Sequence, residues 1–156
     1  MDDRERALQL AYRAVGRRER TVAELRTLLE RKRVEPEDIS AAVDELCRAG
    51  LLDDARYARR FAEDKRELES WGGERIAREL QRRGMPPDLI EPVVADRGRE
   101  AELETALLLL ARRVPPPADD RERNRAWQML IRRGYEAELA YEAVRRHERG
   151  DDQQAA

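Results

Sequence analysis

The chain has few of the residues that staple or fill a deep protein core. Cys47 is its one cysteine, so it has no internal disulfide, and only 4% of its residues are aromatic. Its longest apolar stretch, residues 106–111, is far shorter than the roughly 20 residues that span a bilayer. No apolar run follows Met1, as a secretory signal would require. These absences exclude a disulfide-rich secreted scaffold and predict a cytoplasmic protein without transmembrane helices.

The chain also lacks the short motifs that carry catalysis or cofactor binding. It contains no phosphate-binding loop, dinucleotide fingerprint, zinc-ligand spacing or nucleophile elbow. His147, the single histidine, follows two arginines in a charged helix and is expected to be a solvated surface residue. Cys47 has no evident activating base and is expected to be a small, at least half-buried hydrophobe. We therefore expect no enzyme, no metal and no cofactor, and an enzyme is the weakest of three alternatives.

What the chain has in abundance is charge. Charged residues make up 42% of it, yet the net charge is only −2 and the isoelectric point about 5.7. This balance argues against an undifferentiated nucleic-acid binder. Of the 32 basic residues, all but Lys32 and Lys65 are arginine. Codon bias explains such a preference as readily as the bidentate binding of carboxylate or phosphate, for which arginine is better suited than lysine.

One arginine-rich helical pattern occurs three times, at intervals of about fifty residues. A shift of 51 positions superimposes Leu25 on Ile76 and Pro36 on Pro87. A further shift of 50 places Leu80 on Leu130 and the segment 82–84 (Arg-Arg-Gly) on 132–134. A fixed period of this size is typical of stacked supersecondary units that cannot bury their apolar faces alone.

Helical periodicity within each copy predicts an all-α fold of nine helices in three triplets. In the first helix, Leu8, Ala11, Tyr12 and Val15 are expected to face the core. Thr21 and Glu24 have the spacing of a capping box at the start of the second helix. The predicted organisation is repeat 1 at 1–50, repeat 2 at 51–96, repeat 3 at 97–149 and a disordered tail at 150–156. The three repeats are expected to stack into a curved, elongated, solenoid-like bundle.

Each repeat needs a turn between its second and third helices. Gly84 and Gly134 provide a residue that adopts positive φ at no steric cost, whereas a side chain there costs about 1–2 kcal/mol. The first repeat has Arg33 at this position. Its turn is therefore strained, longer or differently shaped, and the sequence leaves these three alternatives open.

A row of arginines on the second helix of the second repeat is the best candidate for partner binding. Arg75, Arg78 and Arg82 share one face by helical spacing, opposite the apolar side of the helix, and Arg83 lies beside them. The third repeat carries the counterparts Arg125, Arg132 and Arg133. Two interpretations stay open: a surface held by weak local ion pairs, or a binding surface that recurs at one repeat position.

Four blocks of sequence, in order, resemble the RecX regulatory family. They are the segments 21–25, 50–61, 72–84 and 130–135, and the resemblance extends from about residue 5 to 146. The family motif includes residues that we expect to cap, turn and pack rather than to touch a partner. These are Gly50, Asp53, Asp54, Arg56, Tyr57, Phe61, Ile76, Leu80, Gly84 and Gly134.

The resemblance implies a non-enzymatic modulator of the RecA recombinase. Members of the family fold as three tandem three-helix repeats, lodge in the helical groove of the RecA–DNA filament and generally restrain its ATP hydrolysis, growth and strand exchange. Many relatives are more basic than this chain, so we expect it to contact single- or double-stranded DNA only weakly, and we expect a monomer. The alternative is a helix-turn-helix transcriptional regulator, with residues 21–54 as the DNA-reading element.

Overall fold

The computed structural model describes residues 1–150, and this part of the chain is entirely helical apart from its turns and connections. No strand occurs between residues 1 and 150, which confirms the all-α prediction. The helices are α1 (Asp3–Arg17), α2 (Val22–Arg31), α3 (Pro36–Arg48), α4 (Asp54–Glu69), α5 (Gly73–Arg82), α6 (Pro87–Ala95), α7 (Gly98–Arg113), α8 (Asp120–Arg133) and α9 (Ala137–Arg149).

Several helices begin where their capping residues predict. Thr21 Oγ1 accepts the Glu24 amide at 3.1 Å while Glu24 Oε1 accepts the Thr21 amide at 3.0 Å, so the capping box at α2 is confirmed. Pro36 occupies the first position of α3, where its missing amide costs nothing. Asp53 Oδ1 accepts the Arg56 amide at 3.0 Å and starts α4.

The chain divides into two compact units. The first unit comprises Met1–Arg60 and Leu80–Ile90, and the second comprises Phe61–Glu79 and the chain from Glu91 onward. The division passes through α4, α5 and α6, the three helices of the second repeat. A unit of about fifty residues buries too little apolar surface to be stable alone, which explains why the two halves of this repeat pack with different neighbours.

In the first unit, α1, α2 and α3 pack around one core. Ala11 is buried in this core and Leu8 and Val15 pack against it, as expected. Ala7, Ala11 and Ala14 are the buried residues of α1, whereas Tyr12 is 42% exposed. The prediction for Tyr12 is therefore wrong. Alanine contributes little to an apolar periodicity count, yet its small side chain lets α1 approach its neighbours closely.

In the second unit, α7, α8 and α9 surround a core of leucine, alanine and valine. Tyr135 is fully buried beside this core, and its hydroxyl donates to the Ser70 carbonyl at 2.8 Å. Burial raises the pKa of the Tyr135 phenol well above its ordinary value, so it remains a neutral donor. The hydroxyl thereby ties the start of α9 to the connection before α5.

Two expectations about single residues are wrong. Cys47 is exposed on α3, because the buried side of that helix is formed by Ile39, Val43 and Leu46. His147 is only 2% exposed, and its Nε2 lies 2.8 Å from the Val114 carbonyl oxygen. The charged residues next to His147 in sequence lie on other sides of α9, so they do not predict whether the His147 side chain is exposed.

The expected tail, residues 150–156, is only partly covered. Gly150 ends α9 with φ of 80°, and residues 151–156 lie outside the described residues. The helices between residues 1 and 150 are all too short or too polar to span a bilayer. The repeat boundaries and the curvature of the stack stay predictions.

Candidate functional site

The turn between the second and third helices is the same in all three repeats. Arg33, Gly84 and Gly134 all lie in the left-handed region, with φ of 60°, 83° and 95°. In each turn this residue donates its amide to the carbonyl three positions back, and the next residue donates to the carbonyl five positions back, at 2.9–3.1 Å. Of the three alternatives for Arg33, a strained turn of the same length is therefore correct.

In the first unit, the turn at Gly84 packs against the start of α2, and we call this contact the first joint. The Thr21 hydroxyl donates to the Arg83 carbonyl at 2.9 Å. A Cβ on Gly84 would lie only 2.4 Å from the Cβ of Ala23. The α2 start is completed by Asp54, whose Oδ1 accepts the Val22 amide at 2.9 Å.

In the second unit, the turn at Gly134 packs against the start of α5, and this is the second joint. The Gly72 amide donates to the Arg133 carbonyl at 2.8 Å, and the Glu74 amide donates to the Gly134 carbonyl at 2.9 Å. A Cβ on Gly134 would lie 2.2 Å from the Cβ of Arg75 and 2.4 Å from its backbone nitrogen. Close approach of two backbones, and not φ alone, therefore requires glycine here.

Arg33 is tolerated because its turn is exposed. The carbonyl of Lys32, which corresponds to those of Arg83 and Arg133, accepts a hydrogen bond from Arg6 Nη2 of α1 at 2.9 Å. The same acceptor is thus satisfied in all three repeats, by a side chain of α1 in the first repeat and by a joint in the other two.

A carboxylate from the following repeat completes each joint. Glu102 of α7 accepts the Gly73 amide at 3.2 Å, as Asp54 does for Val22 in the first joint. Burial raises the pKa of Glu102, and the Gly73 amide and the Arg66 charge oppose this rise only in part. Burial also raises the pKa of Asp54, against the opposing hydrogen bond from Val22.

Arg66 is a buried residue of the second unit that the sequence analysis missed. It is only 8% exposed, and its two terminal nitrogens donate to the Val93 and Val94 carbonyls at 3.3 and 3.2 Å. Its Nε lies 3.7 Å from Glu102. Arg66 therefore caps the end of α6, a helix without a basic residue in its last turn. Arg66 follows Ala62 of the apolar stripe by four residues, and this helical spacing could have predicted its burial.

Three of the seven predicted partner-binding arginines are held within the molecule. Arg75 stacks 4.0 Å from the ring centre of Trp71 and donates to the Arg132 carbonyl at 3.3 Å. Arg83 donates to the hydroxyl of Tyr57, and Arg133 donates to the Glu69 carbonyl. These contacts hold turns and helix ends in place.

The other four predicted arginines are exposed. They are Arg78, Arg82, Arg125 and Arg132. Arg78, Arg125 and Arg132 belong to the second unit, and Arg82 belongs to the first. A role in partner binding stays a prediction for all seven.

The motif residues make local contacts. Gly50 ends the α3 turn at φ of 74°, and its carbonyl accepts from Arg56 Nη2 at 2.9 Å. Ile76 and Leu80 are fully buried. Phe61 meets the ring of Trp71 edge-on, with the ring centres 6.1 Å apart.

The surroundings of Cys47 disfavour its reactive thiolate form. Partial burial and the carboxylates of Asp54 and Asp44 raise the pKa of the Cys47 thiol, which lowers its thiolate fraction. No group of three or more histidine, cysteine and carboxylate side chains among residues 1–150 is arranged to hold a metal ion.

Comparison with known proteins matches three successive segments of the chain to one family. Models of the first, second and third three-helix domains of RecX match residues 7–46, 53–93 and 100–144. The regulatory protein RecX of Trichlorobacter lovleyi is 40% identical over 134 residues, which cover 83% of this chain and 87% of that protein. The RecX protein of Deinococcus radiodurans is 37% identical over 145 residues, covering 92% of this chain and 69% of its own length.

Two crystal structures share the fold. RecX from Lactobacillus salivarius superimposes with a TM-score of 0.83 and 19% identity, covering 92% of this chain and 96% of that one. A second structure of regulatory protein RecX gives a TM-score of 0.77 with 20% identity, covering 92% of this chain and 72% of that one.

Proposed function

Because the chain belongs to the RecX regulatory protein family, we propose that it binds the helical groove of the RecA–DNA filament and inhibits the recombinase. It restrains ATP hydrolysis, filament growth and strand exchange without catalysing a reaction itself. It acts as a cytoplasmic monomer and needs no cofactor. The observation that carries the proposal is the match to all three RecX domains, in order, over most of the chain.

The repeated architecture supports this role physically. Three helical repeats offer several separated contact points, and weak contacts to neighbouring protomers of a filament add through avidity. The exposed guanidinium groups of Arg78, Arg125 and Arg132 suit carboxylates of a recombinase or phosphates of its DNA. Such contacts are weakened by salt, because they are made at the surface.

The test is ATP hydrolysis by RecA on single-stranded DNA, titrated with this protein. We expect inhibition at substoichiometric amounts, since one molecule that blocks filament growth affects many protomers. Replacing Arg78, Arg125 and Arg132 by alanine should weaken inhibition and leave thermal stability nearly unchanged. A matched control replaces Arg4, Arg13 and Arg59, which are also exposed. Unchanged hydrolysis at equimolar protein would contradict the proposal.

The helix-turn-helix alternative predicts a different result. A transcriptional regulator would bind one duplex sequence tightly without recombinase and would have no effect on ATP hydrolysis. A gel shift with and without RecA, on related and unrelated duplexes, separates the two functions.

A further inference from the structure

The segment that joins α6 to α7 has little support of its own. We call residues 91–101, from the end of α6 to the first turn of α7, the strap. None of its residues is buried. Pro92 lies inside α6 and cannot donate a backbone hydrogen bond. Gly98 begins α7 with φ of 72°, and the side chain of Arg97 does not cap that helix. Burial and local hydrogen bonds therefore do little to hold the strap.

One side chain of α4 holds the strap from outside. The two terminal nitrogens of Arg66 donate to the carbonyls of Val93 and Val94, which are successive residues of the strap. The Nε of Arg66 makes no hydrogen bond with any described residue, although it lies 3.7 Å from Glu102. Burial lowers the pKa of this guanidinium, and the charge of Glu102 opposes the change. Burying it is costly, and the planar fork gains a fixed position for two carbonyls at once.

The remaining side-chain contacts of the strap are weaker or internal. Arg97 donates to the Thr105 hydroxyl at 2.6 Å, and that hydroxyl donates to the Ala101 carbonyl at 3.0 Å, so both bonds stay within the strap and the next turn of α7. Arg99 pairs with Glu142 of α9 at 2.7 Å, but half of the Arg99 side chain is exposed. Exposed ion pairs of this kind contribute little. Arg66 is therefore the main fastener.

The strap is also linked to the second joint. Glu102, the residue that follows the strap, accepts the Gly73 amide at 3.2 Å. A Cβ on Gly73 would lie 2.8 Å from Cγ1 of Val94, so the strap packs directly on the start of α5. The amides on either side of Gly73 donate to the turn of the third repeat. Movement of the strap therefore removes support from the same short piece of backbone that forms the second joint.

We propose that the strap opens locally and that Arg66 is its latch. When the guanidinium leaves the Val93 and Val94 carbonyls, residues 91–101 detach while the later turns of α7, with α8 and α9, stay folded. Opening draws Glu102 away from Gly73 and loosens the second joint. The latch thereby controls how firmly the turn of the third repeat is held. Opening requires no recombinase, so failure of this proposal leaves the regulatory function standing.

The test is native-state amide hydrogen exchange of the full chain, measured residue by residue by NMR. Asp96, whose amide donates to a carbonyl of α6 at 3.0 Å, and Gly73 report on the strap. Tyr135 in the third repeat and Leu25 in the first unit are reference amides, with bonds of 3.1 and 3.0 Å. In wild type, Asp96 should be about 100-fold less protected than Tyr135, and low urea should not change its exchange, because the opening is local.

Removing the latch should speed exchange at the strap alone. In Arg66→Gln we expect Asp96 and Gly73 to exchange about tenfold faster, while Tyr135 and Leu25 change less than about twofold. Arg66→Lys keeps the positive charge but loses the planar fork that reaches two carbonyls. It should therefore fail to restore slow exchange at Asp96. This comparison separates a clamp on the carbonyls from simple charge balance.

A second variant tests the strap without touching the buried guanidinium. Gly98→Ala penalises the positive φ of the closed strap, and the new Cβ meets no described atom within 4 Å. Exchange at Asp96 should rise about tenfold, a result that remains measurable even where loss of Arg66 unfolds the chain. Arg146→Gln is the matched control, because it makes the same change in charge and removes an ion pair with Glu142 in the same unit. It should change exchange at Asp96 less than about twofold.

The link to the second joint is measured at the Gly72 and Glu74 amides. Both should exchange about threefold faster in Arg66→Gln and in Gly98→Ala. Unchanged exchange at these two amides would contradict the link. Equal acceleration throughout the chain would show global destabilisation in place of local opening, and wild-type exchange in Arg66→Lys would show that charge alone suffices. Either result would overturn the latch.

Discussion

The two joints solve one geometric problem with different chemistry. Both place a left-handed turn against the start of a helix, and both satisfy the carbonyl that precedes the turn. The first joint uses the hydroxyl of Thr21 beside the small side chain of Ala23, whereas the second uses the backbone amides of Gly72 and Glu74. The donor can therefore change between repeats, while the space available at the turn glycine cannot.

The largest effect should come from filling the tighter joint. Gly134→Ala should lower the free energy of unfolding by about 3–5 kcal/mol, because positive φ and overlap with the Arg75 backbone both penalise a Cβ. Gly50→Ala is the control, since it shares positive φ but has no described atom within 4 Å of the new Cβ. It should cost about 1–2 kcal/mol. Urea unfolding measures both losses of unfolding free energy. Equal losses in the two variants would show that close approach of the backbones is not the cause.

A side chain at the turn of the first joint should lower stability less than one at the second joint. Gly84→Ala should cost about 2–4 kcal/mol, because its Cβ would meet the Cβ of Ala23. Ala23→Gly alone should cost about 1 kcal/mol through helix propensity. The double variant should be more stable than the sum of the single effects predicts, by about 1–2 kcal/mol. A double-mutant cycle measures this coupling, and additive effects would contradict the contact.

The exposed turn should respond in the opposite direction. Arg33→Gly removes a side chain from positive φ where no joint depends on it, and the flexibility of glycine in the unfolded chain offsets part of the gain. We expect stability to rise by up to about 1 kcal/mol. Thermal unfolding provides the measurement, and a clear loss of stability would show that the Arg33 side chain makes a stabilising contact.

The smallest effect concerns the carboxylate of the first joint. Burial raises the pKa of Asp54, so this carboxyl binds its proton more tightly in the folded than in the unfolded chain. Its contribution to stability is fully present below about pH 4 and is lost as pH rises through the raised pKa. Asp54→Asn keeps an acceptor for the Val22 amide but cannot titrate. The advantage of wild type over this variant should therefore shrink as pH rises above about 4, and a growing advantage would contradict the burial argument.

The helices and their caps could be predicted from the sequence because they depend on local spacing. Thr21 with Glu24, and Pro36 at the start of α3, act within one turn of their own helix. The all-α fold follows from the same periodicity. On the buried face of α1, Ala7 and Ala14 were missed because their small side chains add little to a hydrophobic pattern.

The site was less predictable, because its contacts join residues far apart in sequence. Thr21 and Arg83 are 62 positions apart, and Gly73 and Glu102 are 29 apart. The sequence shows two turn glycines, but it does not show what they touch. Likewise, Arg75 lies on a polar helix face by spacing, yet stacks on Trp71 because the connection before α5 places that ring beside it.

The bond from Arg6 to the Lys32 carbonyl has a consequence for how such an array can grow. If another repeat formed the same joint at this turn, the start of its second helix would displace the Arg6 guanidinium. It would then collide with the side chain of Arg33. The two turns that do receive the start of a preceding repeat's second helix carry glycine, at positions 84 and 134. The residue at the turn therefore decides whether that side of a repeat can form a joint with a neighbour.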